Sequence, residues 1–212
     1  MTYRNSVGAS FYVSQTFASA KTVTAATNAN PTVMTSVAHG YADNDELLYL
    51  GGWELANNSI FKADQLTADT LSLLGLNSTN TNNYASGGGT GTLQKASSWI
   101  EIPQVLSFDP SGGKGKYMTF RPVKSQRDYT LPDGFEAVQI SFEIGLDTSL
   151  TNWSTLVDIS RSQTLVGYKC VIGSTVTYAY GYFSMNDQWK RGQSGVNVVD
   201  ATFSAQGQTV IY

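Results

Sequence analysis

Apolar and polar residues alternate most regularly over residues 137–144. Val138, Ile140, Phe142 and Ile144 take one side of a predicted strand, and Ala137, Gln139, Ser141 and Glu143 the other. The same period of two sets Val199, Ala201, Phe203 and Ala205 against Asp200, Thr202 and Ser204. It recurs over 175–183, where Val176, Tyr178, Tyr180 and Tyr182 oppose Thr175, Thr177, Ala179 and Gly181. A turn at Gly173-Ser174 precedes that strand, and a short final strand over 209–212 follows a turn at Gly207-Gln208. Nearer the start, 9–17 places Phe11, Val13 and Phe17 on one face. Residues 99–108 place Ile100, Ile102, Leu106 and Phe108 on one side, with Pro103 marking an edge or a bulge. One segment, 149–160, has a helical stripe of Leu150, Trp153, Leu156, Val157 and Ile159, with Asp147, Thr148 or Ser149 available as N-cap. It is expected to cover one face of the sheet.

Residues 21–95 follow a shorter rhythm. Asn-Ala-Asn-Pro at 28–31, Asp43-Asn44-Asp45, Gly51-Gly52 and Asn57-Asn58 cut this stretch into pieces too short for helices. The remaining pieces, 32–37, 46–50, 59–65 and 70–74, are rich in Thr, Val, Ile, Leu and aromatics and read as strands of a compact barrel or sandwich. The predicted fold is mainly β: a sandwich or sheet with one short helix, discontinuous over 1–20 and 97–212, and a small barrel-like module inserted at 21–96. The connection over 109–135 strings Pro110, Gly112-Gly113, Gly115, Pro122, Pro132 and Gly134 among Lys114, Lys116, Arg121, Lys124 and Arg127, and reads as a long exposed loop.

Composition agrees with a β-rich structural or binding protein. Only 14% of the 212 residues are charged, and the net charge is −3. Three basic and six acidic residues fall in 21–95, leaving ten of the 13 basic and ten of the 16 acidic residues outside it. The acidic excess therefore belongs to the module, and neither part has the basic face of a duplex DNA binder. No apolar run has secretory or membrane-spanning length, so the reading is a soluble, non-secreted protein.

The residues for catalysis are scarce. His39, the single histidine, lies beside Gly40 in a turn and reads as a turn or packing residue. Cys170, the single cysteine, falls in a strand pattern as a buried thiol. One His and one Cys exclude the usual zinc sets. Asp43, Asp45 and Glu46 lack the Gly and distal Glu of a calcium loop and read as turn formers, and Gly87 to Gly91 lacks the Lys-Ser/Thr of a phosphate loop and reads as a flexible turn. No enzyme, metal or cofactor is expected. Tyr178, Tyr180 and Tyr182 read as core or interface, with a sugar platform as the alternative.

Two resemblances join these pieces. His39-Gly40, the Asp43 to Asp45 run, Gly52-Trp53, Asn57-Asn58, Ile60-Phe61 and Thr67 through Gly75 resemble the small β module inserted in tail proteins of tailed bacteriophages. The order of Trp99-Ile-Glu-Ile-Pro103, the 109–135 connection ending in Leu131-Pro-Asp-Gly134, the strand over 138–145 and the closing 199–212 resembles the major tail tube protein of long-tailed, non-contractile, lambda-like siphoviruses. That resemblance implies a virion structural protein made in the host cytoplasm, forming hexameric rings that stack into a tube. The tube would meet other tail proteins at its ends and pass the genome DNA without reading it. Glu101, Gln139, Ser141, Glu143, Asp200, Thr202 and Ser204 would line the lumen, where small polar and acidic groups repel phosphate. An N-terminal arm with Arg4 and the connection with Lys114, Lys116, Arg121, Lys124 and Arg127 would reach the adjacent ring. The module would decorate the outside, so that its excision leaves assembly intact. A carbohydrate-binding or host-adhesion β module of a phage tail is the competing reading.

Overall fold

The computed structural model describes residues 8–192 and 195–212. In chain order its strands are β1 (Ser10–Ser14), β2 (Lys21–Val23), β3 (Ala25–Ala26), β4 (Thr32–Thr35), β5 (Glu46–Gly51), β6 (Ser59–Gln65), β7 (Thr70–Leu74), β8 (Gly91–Lys95) and β9 (Ile100–Glu101). They continue with β10 (Val105–Ser111), β11 (Gly115–Phe120), β12 (Tyr129–Phe135) and β13 (Gln139–Gly145). After the helix α1 (Thr151–Ser162) come β14 (Leu165–Ile172), β15 (Thr175–Met185), β16 (Lys190–Arg191), β17 (Asn197–Ala205) and β18 (Val210–Ile211). The fold is mainly β, as the alternation requires.

The seven strands β2 to β8 form one sheet in the order β2-β8-β5-β6-β7-β4-β3. β2 and β3 are separated only by Thr24, so the two ends of the order are nearly the same stretch of chain and the sheet comes close to closing into a barrel. Its core gathers Met34, Leu47, Tyr49, Trp53, Phe61 and Leu73. The glycine-rich run over 87–91, expected as a flexible turn, instead wraps Trp53 and Tyr49. Gly89 O accepts from the Tyr49 hydroxyl (2.9 Å), and Ala85 O from Trp53 Nε1 (2.8 Å).

The second sheet has nine strands, seven of them on the path β10-β13-β17-β15-β14-β1-β9, with β16 added on β17 and β18 on β15. It folds over on itself into a sandwich. Rings from opposite ends of the path meet across the core: Phe11 lies 4.9 Å from Phe108 and Phe142 lies 6.2 Å from Tyr168, centroid to centroid. The eleven-residue β15 makes the corner, its first part pairing with β14 and its last with β17. Gly181 sits where the two pairings overlap, and a Cβ there would come 1.9 Å from Ser204 O. Only glycine lets the strands approach this closely. Leu156 and Ile159 of α1 complete the core beside Ile140, Phe183 and Phe203.

Several local expectations change. The helix begins two residues late, its N-cap Leu150 makes no side-chain cap bond, and Asp147 instead accepts from Ser149 N (3.0 Å) in an Asx turn. A register shift between Val105 and Ser107 turns Leu106 out to solvent. Phe17 leaves the face of Phe11 and Val13, bridging to Ala96 and standing edge-on to Tyr180. The largest correction concerns the supposed loop at 109–135. β10 runs on through Ser111, and β11 and β12 pair as a hairpin in which every strand residue is exposed. The hairpin leaves the sandwich at Gly112 (φ +79°), where a Cβ would lie 2.0 Å from Ala137 O.

Candidate functional site

Six of the seven polar positions singled out for a lumen fall on one wet face. Across the β13–β17 ladder Gln139 stands opposite Ser204, Ser141 opposite Thr202 and Glu143 opposite Asp200. Paired residues of an antiparallel ladder share a side, so each pair is one rung, and each inward neighbour, Ile140, Phe142, Val199, Ala201 or Phe203, is buried. β10 extends every rung: Ser111 beside Gln139, Asp109 beside Ser141 and Ser107 beside Glu143. β15 adds Tyr182 beside Ser204 and Ser184 beside Thr202. The result is a polar surface four strands wide, with Ser107, Asp109, Ser111, Tyr182 and Ser184 unforeseen. In sequence Pro110 makes Asp109 and Ser111 read as the start of a loop, and Tyr182 reads with the tyrosine row of β15 as core or interface.

Glu143 and Asp200 set two carboxylates directly opposite each other, an unfavourable pairing alone. Lys190 resolves it, reaching Asp200 at 2.8 Å and Glu143 at 3.2 Å from β16. Those hydrogen bonds, the one to Asp200 foremost, hold its ammonium above the usual lysine range. Lys190 carries no alternation signal in the sequence. Glu101 does not join this surface: it lies on β9 at the far end of the strand order, opposite Tyr12 on β1. Arg4 lies outside the described residues.

The basic positions cluster on the hairpin. Lys114 and Lys116 lie at the start of β11, and Arg121, Lys124 and Arg127 in or beside the connection to β12, where Arg121 Nε lies 3.8 Å from Asp128. One side of the hairpin is apolar. Met118 pairs with Leu131 and Phe120 with Tyr129, whose rings stack at 5.9 Å, and all four are exposed. This strand pair has no buried residue, so its apolar side is uncovered within the subunit.

The sandwich's other outer layer is covered. Over β14 and the first part of β15 sits the barrel, with Leu48 and Ile60 packed on Tyr178 and Tyr180. Tyr178 and Tyr180 are thus buried, so the tyrosine row forms no exposed sugar platform. Glu46 is the polar centre of this junction, accepting from Lys169 Nζ (2.7 Å), the Tyr178 hydroxyl (2.5 Å) and Trp99 Nε1. Burial first, and the bond to Glu46 second, push the Tyr178 hydroxyl above the ordinary tyrosine range.

The remaining chemical candidates are used structurally. Asp43 accepts from Gln65 N and Asp45 pairs with Lys95 at 2.6 Å. His39 is buried: Tyr41 N–H donates to Nδ1 (3.0 Å), so Nε2 carries the proton given to Thr67 O (3.1 Å). Cys170 is buried, and burial raises its thiol above the ordinary range. Among the described residues no His, Cys, Asp and Glu cluster is arranged to hold a metal ion, and no helix is long and apolar enough to cross a membrane.

The surface of the sandwich thus carries a polar wall, a projecting apolar hairpin and a layer covered by the barrel. The family model of the phage tail tube protein (TTP) matches residues 51–212, from the last residue of β5 through β18, and the chain belongs to that family. It is a structural protein of the virion tail that assembles with its own copies into the tube. No curated protein matches the chain in sequence.

Proposed function

We propose that the chain forms closed rings of six that stack into the tail tube of a long-tailed, non-contractile phage, and that the rungs of β10, β13 and β17 line the channel through which the genome leaves. The observation that carries this reading is the polar surface itself: three rungs of small polar and acidic side chains, backed by an unbroken apolar core, in a chain of the tail tube family. Such a wall repels phosphate and offers DNA no adhesive base. Glu101 is dropped from the wall.

The barrel then stands outside the tube, because it covers the β14–β15 layer, across the core from the rungs. The hairpin with Lys114, Lys116, Arg121, Lys124 and Arg127 reaches the adjacent ring, its apolar side burying on assembly. Other tail proteins cap the ends, and the subunits are made in the host cytoplasm before joining the virion.

Negative-stain images and solution mass of the purified protein test this. Hollow tubes of uniform width are expected. A Phe120→Ser, Leu131→Ser variant should keep the wild-type circular dichroism and thermal unfolding, since it loses no buried contact, yet yield single rings or monomers. Tubes formed unchanged by that variant would remove the hairpin from stacking. A wild-type protein that stays monomeric at high concentration and binds glycans would favour the adhesion reading instead.

A further inference from the structure

The barrel is assembled from 21–95 plus one piece of chain far away. Val210, next to the end of the described chain, is 6% exposed and belongs to the barrel core with Met34, Leu71 and Leu73. Tyr212 packs against the same cluster and enters the barrel wall. Its hydroxyl donates to Leu74 O (2.5 Å) and accepts from Lys62 N–H (2.8 Å), so it bridges the β6 and β7 backbones where Lys62 and Leu74 face each other. Lys62 Nζ lies 4.8 Å from the Tyr212 ring. Gln208 N–H donates to Ser59 Oγ (3.2 Å).

The same few residues are bonded by their backbone to the sandwich. β18 pairs Val210 with Tyr178 and Ile211 with Thr177, and Tyr212 exchanges both backbone bonds with Val176 (2.8 and 3.0 Å). Upstream, Gln206 N–H donates to Tyr180 O, at the end of the strand that carries Asp200, Thr202 and Ser204. Val210 and Tyr212 therefore have their backbone in one body and their side chains in the other. Glu46 makes the reciprocal contact, since its backbone pairs in the barrel and its carboxylate is held by Trp99, Lys169 and Tyr178 of the sandwich.

We propose that residues 206–212 are a latch that makes the barrel and the sandwich one cooperatively folding body. The barrel is then a built-in strut held at a fixed angle, and excising 21–95 does not leave a working subunit, contrary to the expectation of a removable decoration. Excision would uncover Tyr178 and Tyr180, strand Lys169 without its carboxylate, and leave Val210 and Tyr212 with nothing to fill. The proposal rests on contacts within one chain and holds whatever ring the chain forms.

Amide hydrogen exchange on the full-length protein tests it. In the wild type, the slowest amides of β6 and β7 should exchange in step with those of β13 and β17. In a Val210→Ala, Tyr212→Ala variant, β6 and β7 should exchange about tenfold faster or more while β13 and β17 keep their protection. Wild-type rates in β6 and β7 of that variant would overturn the proposal, as would separate opening of the two sheets in the wild type. If the double variant is insoluble, Tyr212→Phe decides: it removes only the bridging hydroxyl, so the Lys62 amide should exchange faster, and an unchanged rate there would overturn the latch. Wild-type tubes assembled by a chain lacking 21–95 would overturn the strut.

Discussion

Along β15, Tyr178 and Tyr182 point to the same side of one strand, yet Tyr178 is 1% exposed and Tyr182 40%. What differs is what lies above them: Glu46, Leu48 and Ile60 of the barrel over the first, solvent over the second. The outer face of the sandwich repeats this contrast at large scale. It is wet over β10, β13 and β17, where small polar residues stand in rungs, and covered over β14 and the start of β15, where Tyr178 and Tyr180 are buried and Trp99 and one ion pair are partly buried. Alternation decides which residues face away from a core, but the covering of that outward side is decided by another part of the chain.

Alkali should break the contrast most completely. Burial pushes Tyr41, Tyr49 and Tyr212, all in or against the barrel, above the ordinary tyrosine range, up to about 12. A raised tyrosine pKa adds stability that is intact below pH 10 and is lost as pH climbs toward 12. Absorbance at 295 nm and circular dichroism should therefore change together in that window. Ionisation of these tyrosines with the fold intact would contradict their burial.

Single substitutions on the two sides of β17 come next. Phe203 is fully buried and stacks on Tyr168 at 4.8 Å, so Phe203→Ala should cost about 3–5 kcal/mol. Its neighbour Thr202, facing out, should change subunit stability by less than about 0.5 kcal/mol on replacement by Ala. Urea melts of the two variants measure the difference, and equal effects would mean the wet face is not wet.

Glu46→Ala attacks the dry side, leaving Lys169 partly buried without an anion and Tyr178 without its acceptor. A loss of about 3 kcal/mol is expected, and Lys169→Met added to it should restore part of that loss. A loss no larger than that of a surface ion pair would show that the junction is held by Leu48 and Ile60 alone. The smallest effect belongs to Lys190→Met. Glu143 and Asp200 would then face each other unbridged, and the melting temperature should fall slightly, more at low salt than at high.

Much of this fold can be read from local pattern. The strands at 59–65 and 70–74 coincide with β6 and β7, and the alternation over 137–144 and 199–205 assigns the core and wet sides of β13 and β17 correctly. The hairpin was hidden because proline and glycine punctuate it and no inward side exists to give it a contrast of polarity. The signal that was there is Met118 and Phe120 alternating with Tyr117 and Thr119, matched by Tyr129 and Leu131. The six lumen candidates came together because all of them sit on two directly paired strands. Glu101 lies apart from them because the same side of a sheet, followed across six strands and around a fold, ends up elsewhere.

The sequence alone determined the β class, the helix and the inward sides of β13 and β17, because a period of two or of 3.6 is a property of neighbouring residues and needs no knowledge of the rest. Only the tertiary structure decided what those elements cover. Glu46 reads as one more turn acid until residues 99, 169 and 178 close around it. Tyr212 reads as the end of a short strand until Leu74, 138 positions earlier, is brought to its hydroxyl. Contacts between such distant positions depend on how whole sheets bend and stack, and that packing leaves no period in the chain.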